Sequence, residues 1–122
     1  MDFKDLLAYQ KSFELAMAIF EISKSFPKEE KYSLTDQIRR SSRSVPANIA
    51  ESYRKRKYVK HFISKLTDSD AENSETSVWL DFAFECNYIS YETLLELNSK
   101  SIEVGKILNF MMQNPSKFGC AC

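Results

Sequence analysis

Leu94, Leu97, Ser101, Val104, Leu108 and Met111 recur at alternating steps of three and four residues. That spacing puts all six on one stripe of a helix, whereas in a strand they would scatter over both faces. A stripe of this length must be buried against other apolar surface, and the rest of the chain offers helices for it to meet. Two glycines and three prolines in 122 residues leave little material for loops. No run alternates valine or isoleucine with polar residues, so a sheet is not expected. At this length one domain is expected.

Four helical segments can be read in order. The first spans Phe3 to Ser25 and ends before Pro27. Leu6, Phe13 and Phe20 lie seven apart along it, with Tyr9 and Ala16 between them. Leu15, Ile19, Ile22 and Phe26 form a second stripe. The second helix spans Ser33 to Glu51, opened by Ser33 and Asp36 in a pattern close to a capping box, with Asp where Glu or Gln is usual. Pro46 falls inside it, where the missing N–H and the ring's clash with Ser42 favour either two short helices or one kinked helix. The third spans Tyr58 to Cys86. Its middle, Thr67 to Ser77, has no large apolar residue, but an eleven-residue structureless insert would be unusual in a compact domain. It is expected to be helical and packed through small and polar side chains. Ser90 caps the fourth helix, and Asn114-Pro115 stops it.

The expected fold is all-α: an antiparallel up-down-up-down four-helix bundle over residues 1–114, with a mobile tail over 115–122. Phe13, Phe20, Ile38, Ile49, Leu66, Leu80, Leu97 and Leu108 are expected to be buried together. The first and fourth helices carry more apolar surface than a bundle interior needs; Leu95, Ile102 and Phe110 are the surplus on the fourth. A homo-oligomer follows as an expectation.

Two stretches are distinctive. Gln37 to Glu51 reads Q-I-R-R-S-S-R-S-V-P-A-N-I-A-E, and Ser74 to Ile89 reads S-E-T-S-V-W-L-D-F-A-F-E-C-N-Y-I. Both resemble blocks of the four-helix-bundle proteins encoded in intervening sequences of large-subunit ribosomal RNA genes, and the resemblance runs from Phe3 to about Asn114. Ser52 stands where that family usually has glycine. The resemblance implies a single second helix kinked at Pro46, a pentameric ring and an RNA-related role.

No catalytic constellation is present: no phosphate-cradling glycine loop, no nucleophile elbow and no metal-ligand spacing. The chain reads as a non-enzyme without cofactor or metal. His61 is expected to be an exposed helix residue, Cys86 a small core residue, and Cys120 and Cys122 free thiols of the tail. The acidic N-terminus does not resemble a signal peptide, and no apolar run reaches the ~20 residues that span a bilayer, so a cytoplasmic protein without a membrane partner is expected.

Net charge is zero but unevenly spread: Arg39 to Lys65 holds nine Lys or Arg and one acid, while Leu66 to Ser99 holds eight acids and no base. If the second and third helices fold back around residue 55, Arg39 meets Glu72 and Arg40 meets Asp70, with Glu75 nearby as a further ion-pair partner. Arg54, Lys55, Arg56, Lys57 and Lys60 have no acid near them in sequence. With Tyr53 or Tyr58 able to stack on a base, they are candidates for binding the phosphates of RNA or DNA, RNA in the first place. The alternative is an assembly scaffold whose basic rim docks an acidic protein.

Overall fold

Four long helices carry the chain: α1 (Leu7–Ser23), α2 (Leu34–Arg54), α3 (Val59–Glu85) and α4 (Tyr91–Gln113). Short 3-10 turns lie at Phe3–Asp5, Lys28–Glu30 and Pro115–Phe118. The computed structural model describes residues 2–120, and no strand occurs among them. The fold is the all-α four-helix bundle. α2 runs unbroken through Pro46, and α3 includes all of Thr67 to Ser77. The first helix starts later than its apolar pattern suggests, because Leu6 is extended (φ −69°, ψ 131°) and separates the opening 3-10 turn from α1.

Large side chains gather in two clusters. One joins Leu6 and Ala8 with Ile49, Tyr53, Phe62, Leu66, Leu108 and Met111. The other joins Leu15, Ile19 and Phe26 with Ile38, Leu80, Leu94 and Leu97. Each takes residues near the beginning of one helix and near the end of the next. Ile38, Ile49, Leu66, Leu80, Leu97 and Leu108 are buried as expected, though in two clusters. Phe13 is not: it is 49% exposed. The inward face of α1 is Ala8, Ser12, Leu15, Ala16, Ile19 and Ser23. Small residues on that face let α1 approach its neighbours, so the larger Phe13 points outward. Phe20 is only half-buried, with two arginines on its ring.

Between the clusters the bundle has a polar waist. Asn73 Nδ2 donates to the Ser101 carbonyl (2.9 Å), and Ser101 Oγ donates back to Asn73 Oδ1 (3.2 Å). Thr76 Oγ1 lies 2.9 Å from Ser41 Oγ, and Ser69 Oγ donates to the Val45 carbonyl at 2.9 Å. This pairing is how a stretch without large apolar residues can be helical and buried: polar atoms may leave water when each finds a partner. Asn73→Ala should cost about 1–3 kcal/mol in chemical denaturation, because buried Ser101 loses both of its hydrogen bonds to Asn73. A change below half of that range would mean the waist is solvated.

Two helix ends follow the local rules expected of them, and the start of α2 does not. Ser90 Oγ accepts from Thr93 N at 3.1 Å and caps α4. At the end of α3, Asn87 adopts the left-handed conformation (φ 64°). Asn87 N donates to Phe84 O and Tyr88 N to Ala83 O, the paired bonds of a Schellman ending. Cys86 is carried out at this ending and is exposed, not the core residue expected. Its neighbour Ala83 faces inward instead.

The exception is the start of α2. Ser33 makes no side-chain cap and Asp36 does not close a box; Glu30 caps from the preceding turn. Its carboxylate accepts from Ser33 Oγ (2.6 Å), Leu34 N (3.3 Å) and Tyr88 Oη (2.8 Å). The hydrogen bond from Ser33, then that from Tyr88, holds the Glu30 carboxyl below its usual range. The same carboxylate, by accepting the phenol hydrogen bond, pushes Tyr88 up to about 12. Glu30 thus contributes stability that is present above about pH 4.3 and lost as pH falls through its lower folded value. Tyr88 contributes stability that is present below about pH 10 and lost as pH rises toward 12. A phenolate absorbance titration of the parent minus Tyr88→Phe should therefore show one tyrosine ionising near pH 12; ionisation near 10 would mean the Glu30 bond does not form.

The last described residues also depart from expectation. Rather than trailing as a mobile tail, Pro115–Phe118 forms a 3-10 turn, Phe118 packs on the first cluster and Cys120 is buried in it. An apolar side chain three residues past the helix stop gave the turn something to bury. Cys122 lies outside the described residues.

Candidate nucleic-acid interface

The α2–α3 turn occupies Lys55 to Tyr58, where α2 has run out of apolar residues and α3 has not begun. Arg54, Lys55, Lys57 and Lys60 are exposed there. None has an acidic partner among the described residues. Lys57 and Lys60 sit at the N-terminus of α3, whose first turn contains no acid. A helix N-terminus already carries partial positive charge, so cations placed there raise the potential instead of relieving it. The local arrangement works against its own electrostatics, and an incoming anion removes the conflict.

The aromatic residues of the turn divide. Tyr58 is exposed; its ring meets His61 at 5.4 Å, and Lys57 Nζ lies 5.7 Å from its centroid. Tyr58 is 58% exposed overall. His61 is exposed beside it. Tyr53 is buried, with the Arg56 guanidinium 3.5 Å from its ring centroid, so it offers no stacking face. This corrects the expectation for Tyr53, which the turn of α2 directs into the first cluster.

Arg56 is also different from its neighbours. Its Nε donates to the Tyr53 carbonyl at 2.8 Å and its Nη1 to the Phe118 carbonyl at 3.1 Å. Gly119 follows in the left-handed region (φ 89°), and a Cβ there would lie 2.6 Å from Arg56 Nη1. Arg56 ties the C-terminal segment to the turn, and two of its donors are used internally. Sequence gave no sign of this, because the acceptor lies 62 residues away.

The expected ion pairs form with shifted partners. Arg40 bonds Glu72 at 2.9 Å and also bonds Glu75. Asp70 and Arg39 form no ion pair among the described residues. The turn centres near residue 57 instead of 55, so the register slips by about one helical turn. Glu51–Lys65 (2.5 Å) is offset in the same direction. Arg39 instead donates from Nε to Ser23 Oγ (2.8 Å) and lies 4.8 Å from the Phe20 centroid, with Arg43 at 5.5 Å on that ring.

No group of three or more His, Cys, Asp or Glu among the described residues is arranged to hold a metal ion. No described helix is long and apolar enough to cross a membrane.

The family model of the 23S rRNA-intervening sequence protein matches residues 4–110. The chain belongs to that family. A solved structure agrees: a Bacteroides thetaiotaomicron protein of unknown function from the S23 ribosomal protein family. It is 32% identical, the match covers 90% of this chain and 98% of that one, and the TM-score is 0.79. No curated protein matches. What the chain binds must be argued from its own surface.

Proposed function

We propose that this is a non-enzymatic, self-associating bundle that binds nucleic acid, RNA in the first place, through the α2–α3 turn. The observation that carries the reading is the set of exposed cations without acidic partners, Arg54, Lys55, Lys57 and Lys60, beside the open ring of Tyr58. Phosphate contacts supply affinity without sequence information, and one aromatic face adds stacking that tolerates any base. Self-association, as in the pentameric ring implied by the resemblance, would repeat the turn around an assembly and focus its field. The reading contains no catalytic step and places the protein in the cytoplasm with RNA. Filter binding of the parent to RNA and to DNA at two salt concentrations tests it. Binding that weakens as salt rises supports the reading. Absence of binding to either polymer at low salt would favour a scaffold that docks an acidic protein on the same rim.

A further inference from the structure

α1 and α2 leave between them an open groove of about 430 Å3. Phe13 and Met17 line it from α1, Pro46 and Ala47 from α2, and Arg43 stands at its rim. Phe13 and Met17 remain 49% and 47% exposed. The rim continues along α2 into a patch shared by Arg39 and Arg43. Neither arginine has an acidic partner among the described residues, and Asp36 is the one acid lining the patch.

The outer face of α4 has the opposite character. Leu95 and Ile102 are 51% and 59% exposed. Being seven residues apart, they lie on one line of the helix, about 10 Å from each other. Glu92 and Glu96 flank Leu95, both exposed and without a basic partner among the described residues. An apolar groove with a cationic rim and an apolar helical stripe whose Leu95 end has an anionic flank are complementary in polarity and in charge at that end; Lys106 lies past Ile102 at the other. A helix laid in a groove is anchored through side chains at this spacing. The mainly apolar lining suits a protein helix better than a sugar–phosphate strand.

Both surfaces belong to one chain, yet that chain cannot bring them together. α4 is already packed against α1 and α3 through its inner stripe, while the groove opens between α1 and α2. We propose that the α1–α2 groove of one copy receives the outer face of α4, centred on Leu95 and Ile102, of a second copy. The contact joins unlike faces, so each copy keeps one free groove and one free stripe. Such contacts propagate head to tail until the rotation between copies closes a ring. This inference rests on the self-association proposed above and adds which faces meet.

Two variants test it by light scattering. Met17→Glu places an acid in the groove and leaves the stripe intact; Leu95→Glu does the reverse. Both sites are half-exposed, and an unchanged helical circular-dichroism signal verifies the fold of each. Each variant alone should be a monomer. An equal mixture should give a species of about twice the 14.2 kDa chain mass and nothing larger, because one intact groove meets one intact stripe and both remaining faces are blocked. Phe13→Glu with Ile102→Glu should repeat this pattern. Either variant assembling as the parent does would overturn the assignment, as would a mixture that stays monomeric. A monomeric parent would remove the self-association reading itself, a result distinct from both.

Discussion

Phe62→Ala should lower the stability of the bundle by about 3–5 kcal/mol, the loss expected when a fully enclosed aromatic ring is removed. Phe62 is completely buried where the start of α3 meets Leu6, Ile49, Leu108 and Met111. Those neighbours come from α2, from α4 and from the residue that precedes α1, so the space left behind cannot close by shifting one of them. For a domain of this size the loss corresponds to a fall of roughly 10–20 °C in melting temperature. Phe13→Ala should cost about 1 kcal/mol or less, since half of that ring already faces solvent. Thermal melting of the two variants compares them directly. Similar losses would mean that the inner face of α1 has been assigned wrongly.

The contrast between those phenylalanines shows what sequence could and could not give. The heptad of α4 identified its inner stripe and its surplus residues, because long apolar side chains at fixed spacing have one helical reading. On α1 the same reasoning chose the stripe of larger rings. The inward face there is set by close helix approach, which small residues permit, and Ala8, Ser12 and Ala16 leave a weak hydrophobic signal. The helical middle of α3 was legible from the absence of breakers. Its partners were not, since Asn73–Ser101 and Thr76–Ser41 depend on register between helices. A two-residue error in the centre of the α2–α3 turn moved the partner of Arg40 from Asp70 to Glu72 and Glu75. The basic turn was plain as composition. That Arg56 and Tyr53 are used internally was not, because their contacts depend on how the far end of the chain folds back.

The division between Arg56 and its neighbours shapes the largest functional effect expected. A variant carrying Arg54→Gln, Lys57→Gln and Lys60→Gln removes three exposed cations and leaves Arg56 holding Phe118. Its melting temperature should match the parent's, because exposed charges without partners contribute little to stability. RNA affinity should fall about a hundredfold at 0.1 M salt if each cation neutralises one phosphate of a single strand. Tyr58→Ala should weaken binding by about 1–3 kcal/mol of stacking while leaving the salt dependence unchanged.

The slope of binding against salt concentration, on logarithmic axes, reads the phosphate contacts themselves. It should be measured for the parent and for the Arg54/Lys57/Lys60 variant on the same single-stranded RNA. The variant's slope should be flatter by about 2, roughly 0.7 for each lost contact. Equal slopes and equal affinities at every salt concentration would contradict RNA binding through this turn.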